Sequence, residues 1–511
     1  MNAAGDAFRG VRQFSRWDWI VVTLGVVIAF LLRAPFRSHM AYHWDSALFV
    51  LAIRKFDLLA GEPQMPGYFL YVMLGRLVTR VAGDPHTSLV WISVVFGSML
   101  PSVVYILGTV MFGRWAGATA GLMALTSPQT WFHSCVALTY IVDSFLVCVL
   151  VLVLWQARER GVSWMDAIMV GVLLAIIGGI REQSAIGIGV MVIFVFWWCR
   201  QARTAKLLVM LLVATGLSAV WFVPMVRSCG GWQVYVALLN RNFKSNALTS
   251  AGDGFLATRG HNFASVVGFC WIGLVLGAFI LLGALLYRAL FMSDDSKETW
   301  NDQHARGLSM LAVWIMPMMI LGTIIATDQP GHVLGYLPAW FVLTGLVVAC
   351  LKHGWQRVAL IAAIGITNVF AFVAWPQQWD GVFFEMARTA REIRVHDAEL
   401  TRIVRTVRQS YASADVVIYH AGEDFLYGIR HFQLYLPEYD HYQLGIDLTT
   451  PHPPGRPMWR VRNGHLEFVD SFNVGPERQV LLFVPPDEKI DVFDPYLSQT
   501  KLRSLAKNVV R

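Results

Sequence analysis

Tyr42-His43-Trp44-Asp45-Ser46-Ala47-Leu48-Phe49 comes shortly after the first long apolar run, at 18–35, and puts an acid where the chain leaves lipid. Beyond Asp45, the residues Leu48, Phe49, Ala52, Phe56 and Leu59 recur at three- and four-residue spacing, with Arg54, Lys55 and Asp57 on another side. That pattern predicts a helix lying along the membrane surface, apolar side down. Asp45 at its start has two readings: an N-cap that accepts hydrogen bonds from the free amides of the first turn, or a functional carboxylate.

Composition decides the class before any motif does. The chain has 511 residues, 56% of them hydrophobic and 15% charged, with a mean hydropathy of +0.51. At this length these values exclude a soluble protein and predict a polytopic membrane protein. The formal charge of +7 needs no nucleic acid to explain it, because Arg and Lys flanking apolar runs serve orientation and headgroup contact. The six cysteines, Cys135, Cys148, Cys199, Cys229, Cys270 and Cys350, lie in or beside apolar runs with no CxxC. They read as buried thiols, not as a disulfide or metal framework. No small-residue cleavage site follows the first apolar run, so it reads as an uncleaved span.

Apolar runs near the length that crosses about 30 Å of hydrocarbon fall at 18–35, 89–111, 115–132, 144–157, 164–180, 184–199, 206–226, 264–290, 307–326, 332–351 and 357–375. Eleven spans with the N-terminus inside gather Arg9, Arg12, Arg16, Arg114, Arg158, Arg200, Arg288 and Arg357 on the cytoplasmic side, as the positive-inside rule requires. Gly67 to Val81 is a competing short span. Arg76 and Arg80 interrupt it, and a crossing there would move every basic turn from Arg114 to Arg357 outside, so it reads as a second surface helix. The odd number of spans leaves the remainder of the chain outside. From 376 to 511 the character changes: a charged helical stretch, Glu385 to Gln409, precedes Asp415–His420 and Gln479–Val484, two β-branched or apolar runs that read as buried strands. A soluble α/β domain of some 135 residues can bury its own core.

The polar residues that lipid should exclude collect on the outer face of this topology. They are Asp45, Asp143, Arg181 with Glu182, Arg227, the loop carrying Arg241 and Lys244, and Asp328-Gln329-Pro330-Gly331-His332 with Tyr336. Basic groups at headgroup level on the outside run against the positive-inside rule and suit a lipid-linked phosphate. A carboxylate in a partly desolvated cleft can take a proton from a hydroxyl or amine. Together they describe sugar transfer from a polyprenyl-phosphate donor. Asp45 and Asp143 are the candidate catalytic residues, Arg181, Arg241 and Lys244 the candidate donor-phosphate ligands, and Glu182, His332 and Tyr336 candidate substrate contacts. Two carboxylates also allow a divalent metal between Asp45 and Asp143, a weak signal without further ligands. His43, His133 and His420 have no ligand spacing around them and read as structural.

An acid in a large first outer loop with two surface helices, a second acid after the third span, and Trp314-Ile315-Met316-Pro317-Met318 leading to a polar turn with Tyr336 resemble the GT-C membrane glycosyltransferases. The arrangement is most similar to the protein mannosyltransferase and lipid A aminoarabinose transferase branch. The resemblance covers about 1–375 and rests on order and spacing. It implies a GT-C transmembrane domain at 1–375, a periplasmic domain at 376–511, location in the plasma (inner) membrane, and inverting transfer from a polyprenyl-phosphate-linked donor to a glycan, lipid or protein acceptor. It further implies Asp45 as base, Asp143 as the second-loop acid, and Arg181 near the donor phosphate. Two positions depart from the family: Ser46 follows the first acid, and Gln64-Met65-Pro66-Gly67 keeps a proline but lacks the lysine. A lipid-linked sugar flippase or other carrier is the rival class, but it predicts two similar halves, which the sequence lacks.

Overall fold

A chain in hydrocarbon must satisfy its backbone within itself, so its apolar runs become helices. The computed structural model describes residues 14–198, 203–248, 255–291, 302–324, 329–374, 389–420, 425–444, 458–472, 474, 477–483 and 506–510. Its helices are α1 (Arg16–Arg33), α2 (Trp44–Arg54), α3 (Phe69–Ala82), α4 (Pro85–Phe112), α5 (Arg114–Thr126), α6 (Pro128–His133), α7 (Tyr140–Arg160), α8 (Trp164–Ile180) and α9 (Glu182–Trp198). They continue as α10 (Arg203–Ser228), α11 (Trp232–Leu248), α12 (Phe255–Leu274), α13 (Leu276–Phe291), α14 (Asp302–Ile324), α15 (Leu337–Ala349) and α16 (Gly354–Val373). Among the described residues six helices are long and apolar enough to cross a membrane, or seven if the pair α12 and α13, bent by 108°, is one span. Helices α8, α9 and α15 are apolar but shorter. This is a multi-pass, mostly helical membrane protein.

Small residues let the helices approach closely. A Cβ on Gly108 of α4 would sit 2.8 Å from the Gly117 Cα of α5, and one on Gly345 of α15 would strike the Ala116 carbonyl. Polar ties lock the register. Asp18 of α1 is buried and accepts from Tyr105 at 2.8 Å and from Arg114 at 2.8 and 3.0 Å, joining α1 to α4 and α5.

The first loop is short of lipid-facing surface. In α2 every residue except Asp45 and Arg54 is buried, because α3 and α4 cover one side and the C-terminal part covers the other. Helix α3 has 14 residues, and its Arg76 donates to the Ile53 and Ala52 carbonyls at 2.9 and 3.0 Å. That contact meets the negative end of α2.

The C-terminal part holds α17 (Ala390–Ser410), α18 (Ile429–Tyr435) and six strands, β1 (Val416–His420), β2 (Asp440–Leu444), β3 (Met458–Arg462), β4 (His465–Val469), β5 (Gln479–Phe483) and β6 (Ala506–Val510). The sheet order is β4-β3-β2-β1-β5-β6. It is parallel from β2 through β1 and β5 to β6, with β3 and β4 added antiparallel. Leu400, Ile403 and Val407 of α17 pack with Phe432 of α18 on Ile418, Leu481 and Phe483. The expected boundary at 375/376 and the start of the charged helical stretch at 385–388 fall outside the described residues.

This part is docked on the first loop by buried polar contacts. Asp397 accepts from the His39 and Met40 amides at 2.7 and 3.0 Å and from the Ser38 hydroxyl at 3.1 Å. The Tyr435 hydroxyl accepts from the Ala41 amide at 2.7 Å, and the Phe425 carbonyl from the Trp44 amide at 2.6 Å. Arg430 is fully buried and lies beside the rings of Trp44 and Trp459. It donates to the Ala60 carbonyl at 2.6 Å, to Gln433 at 2.9 Å and to Glu62 at 3.4 Å. Burial raises the Glu62 carboxyl above its ordinary range, opposed by Arg430.

Candidate active site

Helix α2 begins because His43, in extended conformation, accepts the Asp45 amide on its Nδ1 at 3.1 Å. His43 is therefore the N-cap, which corrects the capping alternative for Asp45 and leaves the Asp45 carboxylate for other work. Capping a helix is a structural role, in keeping with the structural reading of His43. The Gln329 side-chain amide lies 2.7 Å from the His43 Nε2. Gln329 is in turn 3.1 Å from the Tyr140 hydroxyl.

Arg181 terminates α8 in an extended conformation, so its side chain leaves the helix sideways and stays buried. Its guanidinium lies 4.3 Å from the centre of the Tyr140 ring, 2.9 Å from the His332 Nδ1 and 3.5 Å from the Thr139 hydroxyl. The Tyr140 ring also rests on Gly331, where any side chain would run into it. That glycine belongs to a 3-10 turn, Pro330–Gly335, which carries His332. Asp45 and Asp143 both lie within the electrostatic reach of Arg181. Asp143, in the first turn of α7, accepts from the Ser184 hydroxyl at 2.6 Å with one oxygen. Its other oxygen is buried with no partner among the described residues.

The structure thus brings Asp45, Asp143, Arg181 and His332 into one neighbourhood, from α2, α7, the α8–α9 junction and the 3-10 turn. Glu182 opens α9 beside them, with both carboxylate oxygens buried and unpartnered among the described residues. Tyr336 sits apart, buried with its hydroxyl toward Cys270. Arg241 is half-buried on α11, whose Tyr235 reaches the Pro66 carbonyl at 3.2 Å. The Lys244 side chain and Asp328 lie outside the described residues. Tyr68, Tyr140 and Gln329 were not singled out as site residues. Tyr68 holds a left-handed φ of 45°, which costs a non-glycine residue on the order of 1–3 kcal/mol. Its phenol senses Arg181, Asp45, Tyr140 and Glu182. Nothing in its sequence context separates it from an interfacial aromatic.

Burial pushes the Asp45 carboxyl up to about 7, with Arg181 working in the opposite direction. Its side chain still keeps 23% of its surface accessible, so it is reachable by a reactant. A carboxyl that titrates near neutrality and faces a fixed cation is suited to taking up a proton as negative charge develops nearby. The two acids do not complete a metal site: among the described residues no three His, Cys, Asp or Glu side chains are placed to hold an ion, and the cation that both acids sense is Arg181.

The fold is similar to that of a solved membrane protein. ArnT from Cupriavidus metallidurans bound to undecaprenyl phosphate superposes with a TM-score of 0.52 at 12% identity, over 85% of this chain and 88% of that one. The apo state of the same protein gives 0.46 at 13% identity, over 85% and 87%. The apo oligosaccharyltransferase of Archaeoglobus fulgidus gives 0.44 at 13% identity, over 81% of this chain and 63% of that one. No protein-family model matches the chain, and no curated protein matches it in sequence.

Proposed function

We propose that this protein is a glycosyltransferase that moves a sugar from a polyprenyl-phosphate-linked donor to an acceptor at the outer face of the inner membrane, with inversion. The observation that carries the reading is a buried cation, Arg181, within electrostatic reach of two acids that come from separate elements. The acceptor oxygen or nitrogen attacks the anomeric carbon as its proton passes to the Asp45 carboxylate. The bond from that carbon to the phosphate oxygen breaks, and the phosphate leaves with its charge held by Arg181. Asp143 supports the Arg181 charge electrostatically, and Glu182 and His332 line the substrate region. Arg241 and Lys244 are further candidate phosphate ligands.

The reading requires one topology: eleven spans, N-terminus cytoplasmic, C-terminal domain periplasmic, and α2 and α3 not crossing the membrane. For α3 this is supported by Arg76, which is engaged by the end of α2 instead of lipid. The fold similarity to a structure bound to undecaprenyl phosphate supports a lipid-phosphate donor.

The test is transfer from undecaprenyl-phosphate sugars by purified protein in detergent, where no compartments exist and a carrier makes no product. Asp45→Asn is expected to fold and to lose on the order of 10²–10⁴ in rate. Normal turnover by that variant would falsify the assignment.

A further inference from the structure

Helix α17 has two unlike faces. Its apolar stripe faces the sheet, and the opposite side presents Arg394, Arg402 and Arg405, all exposed. These three, with His39, Thr401 and Thr406, line a cavity of about 510 Å³ between α17 and the chain leading to α2. Its wall is largely apolar, made of side-chain stems and Ala398, and three of its eight residues carry a guanidinium. The one acid in it, Asp397, already accepts three hydrogen bonds from residues 38–40.

The position of the cavity is fixed relative to lipid. The Arg394 guanidinium lies 5.0 Å from the centre of the Phe36 ring. Phe36 ends the first candidate span and packs edge-on at 5.7 Å against Phe372, in the last turn of α16, another candidate span. Two membrane-crossing helices therefore end at the level of Arg394. Arg37 lies at the same level, 5.3 Å over Trp91. Guanidinium and hydroxyl donors converging at the edge of hydrocarbon match the oxygens of a phosphodiester.

We infer that this groove binds the phosphate of an anionic phospholipid headgroup from the leaflet in which α1 and α16 end. Arg394 meets the phosphate at the membrane edge, and Arg402 and Arg405, roughly 12–17 Å further along α17, add long-range attraction for the anionic headgroup. The site shares no residue with the Arg181 cluster, so it stands whether or not the glycosyltransferase reading does.

The test uses the full-length protein, delipidated in detergent, with phosphatidylglycerol and phosphatidylcholine of identical acyl chains, and bound lipid counted by native mass spectrometry. Phosphatidylglycerol is expected to be retained in preference to phosphatidylcholine, and the preference to shrink as sodium chloride is raised. Arg394→Gln/Arg402→Gln/Arg405→Gln should weaken phosphatidylglycerol binding on the order of a hundredfold, while Arg462→Gln, an exposed charge on β3, leaves it unchanged. Should the triple variant misfold, the single Arg402→Gln and the salt series on the unaltered protein give the same reading. Equal retention of the two lipids, or unchanged binding by a folded triple variant, overturns the inference. Displacement of phosphatidylglycerol by millimolar inorganic phosphate would make this a free-anion site and overturn the lipid assignment.

Discussion

Arg430→Met should separate the C-terminal domain from the loop that carries Asp45. Arg430 has no exposed surface, and its removal deletes bonds to the Ala60 carbonyl, Gln433 and Glu62 together with contacts to Trp44 and Trp459. Glu62, itself 7% exposed, keeps only its bond from Gln433 at 2.6 Å. Removing one partner of a buried pair costs about 3–5 kcal/mol, most of it the desolvated charge left behind. Arg430→Met/Glu62→Met removes that residue of charge, and the double variant should recover a large part of the loss, with a coupling of roughly 1–3 kcal/mol. Thermal unfolding in detergent measures both, the single variant melting roughly 10 °C below the parent. Limited proteolysis between the membrane part and the domain should accelerate in step. A single variant that costs less than about 1 kcal/mol, or a double variant as unstable as the sum of its parts, would refute the clamp.

Asp45 should make transfer pH-dependent. A base works only when ionised, so with its carboxyl near 7 the rate is expected to level off above that pH and to fall toward tenfold per unit below it; a flat profile from pH 5 to 8 speaks against Asp45 as base. Arg181→Lys keeps a charge but cannot stack on Tyr140 and reach His332 together, and should raise KM for the lipid donor about 10–100-fold, read from initial rates against donor concentration. In the C-terminal domain His441 faces His420 at 3.4 Å, and burial brings it down to about 4. A depressed histidine leaves stability complete above its unfolded value of about 6.5 and removes it as pH falls toward 4, by roughly 3 kcal/mol. Melting temperature followed over that window should drop, and His441→Phe should flatten the curve.

The helical part was legible because lipid imposes a single rule, and each apolar run has a described helix or helix pair over it. The strands at 416–420 and 479–483 were legible for a different reason, as short apolar runs that a sheet buries. Asp45, Asp143 and Arg181 stood out because a charge beside hydrocarbon is costly. His43, Gln329 and Tyr68 did not stand out. Polar and aromatic residues near span ends are ordinary, and their roles depend on residues more than a hundred positions away, such as Tyr140 and Arg181. The docking of the C-terminal domain was equally hidden, since Glu62 and Arg430 are separated by 368 residues and only folding brings them together.

That separation orders events in time. The loop carrying Asp45 is made early in synthesis, while Phe425, Arg430 and Tyr435, which hold residues 41, 44 and 60 in place, are made near the end. Until then α2 lacks one wall, and a product truncated before α18 is left without the Ala60, Gln433 and Glu62 bonds of Arg430.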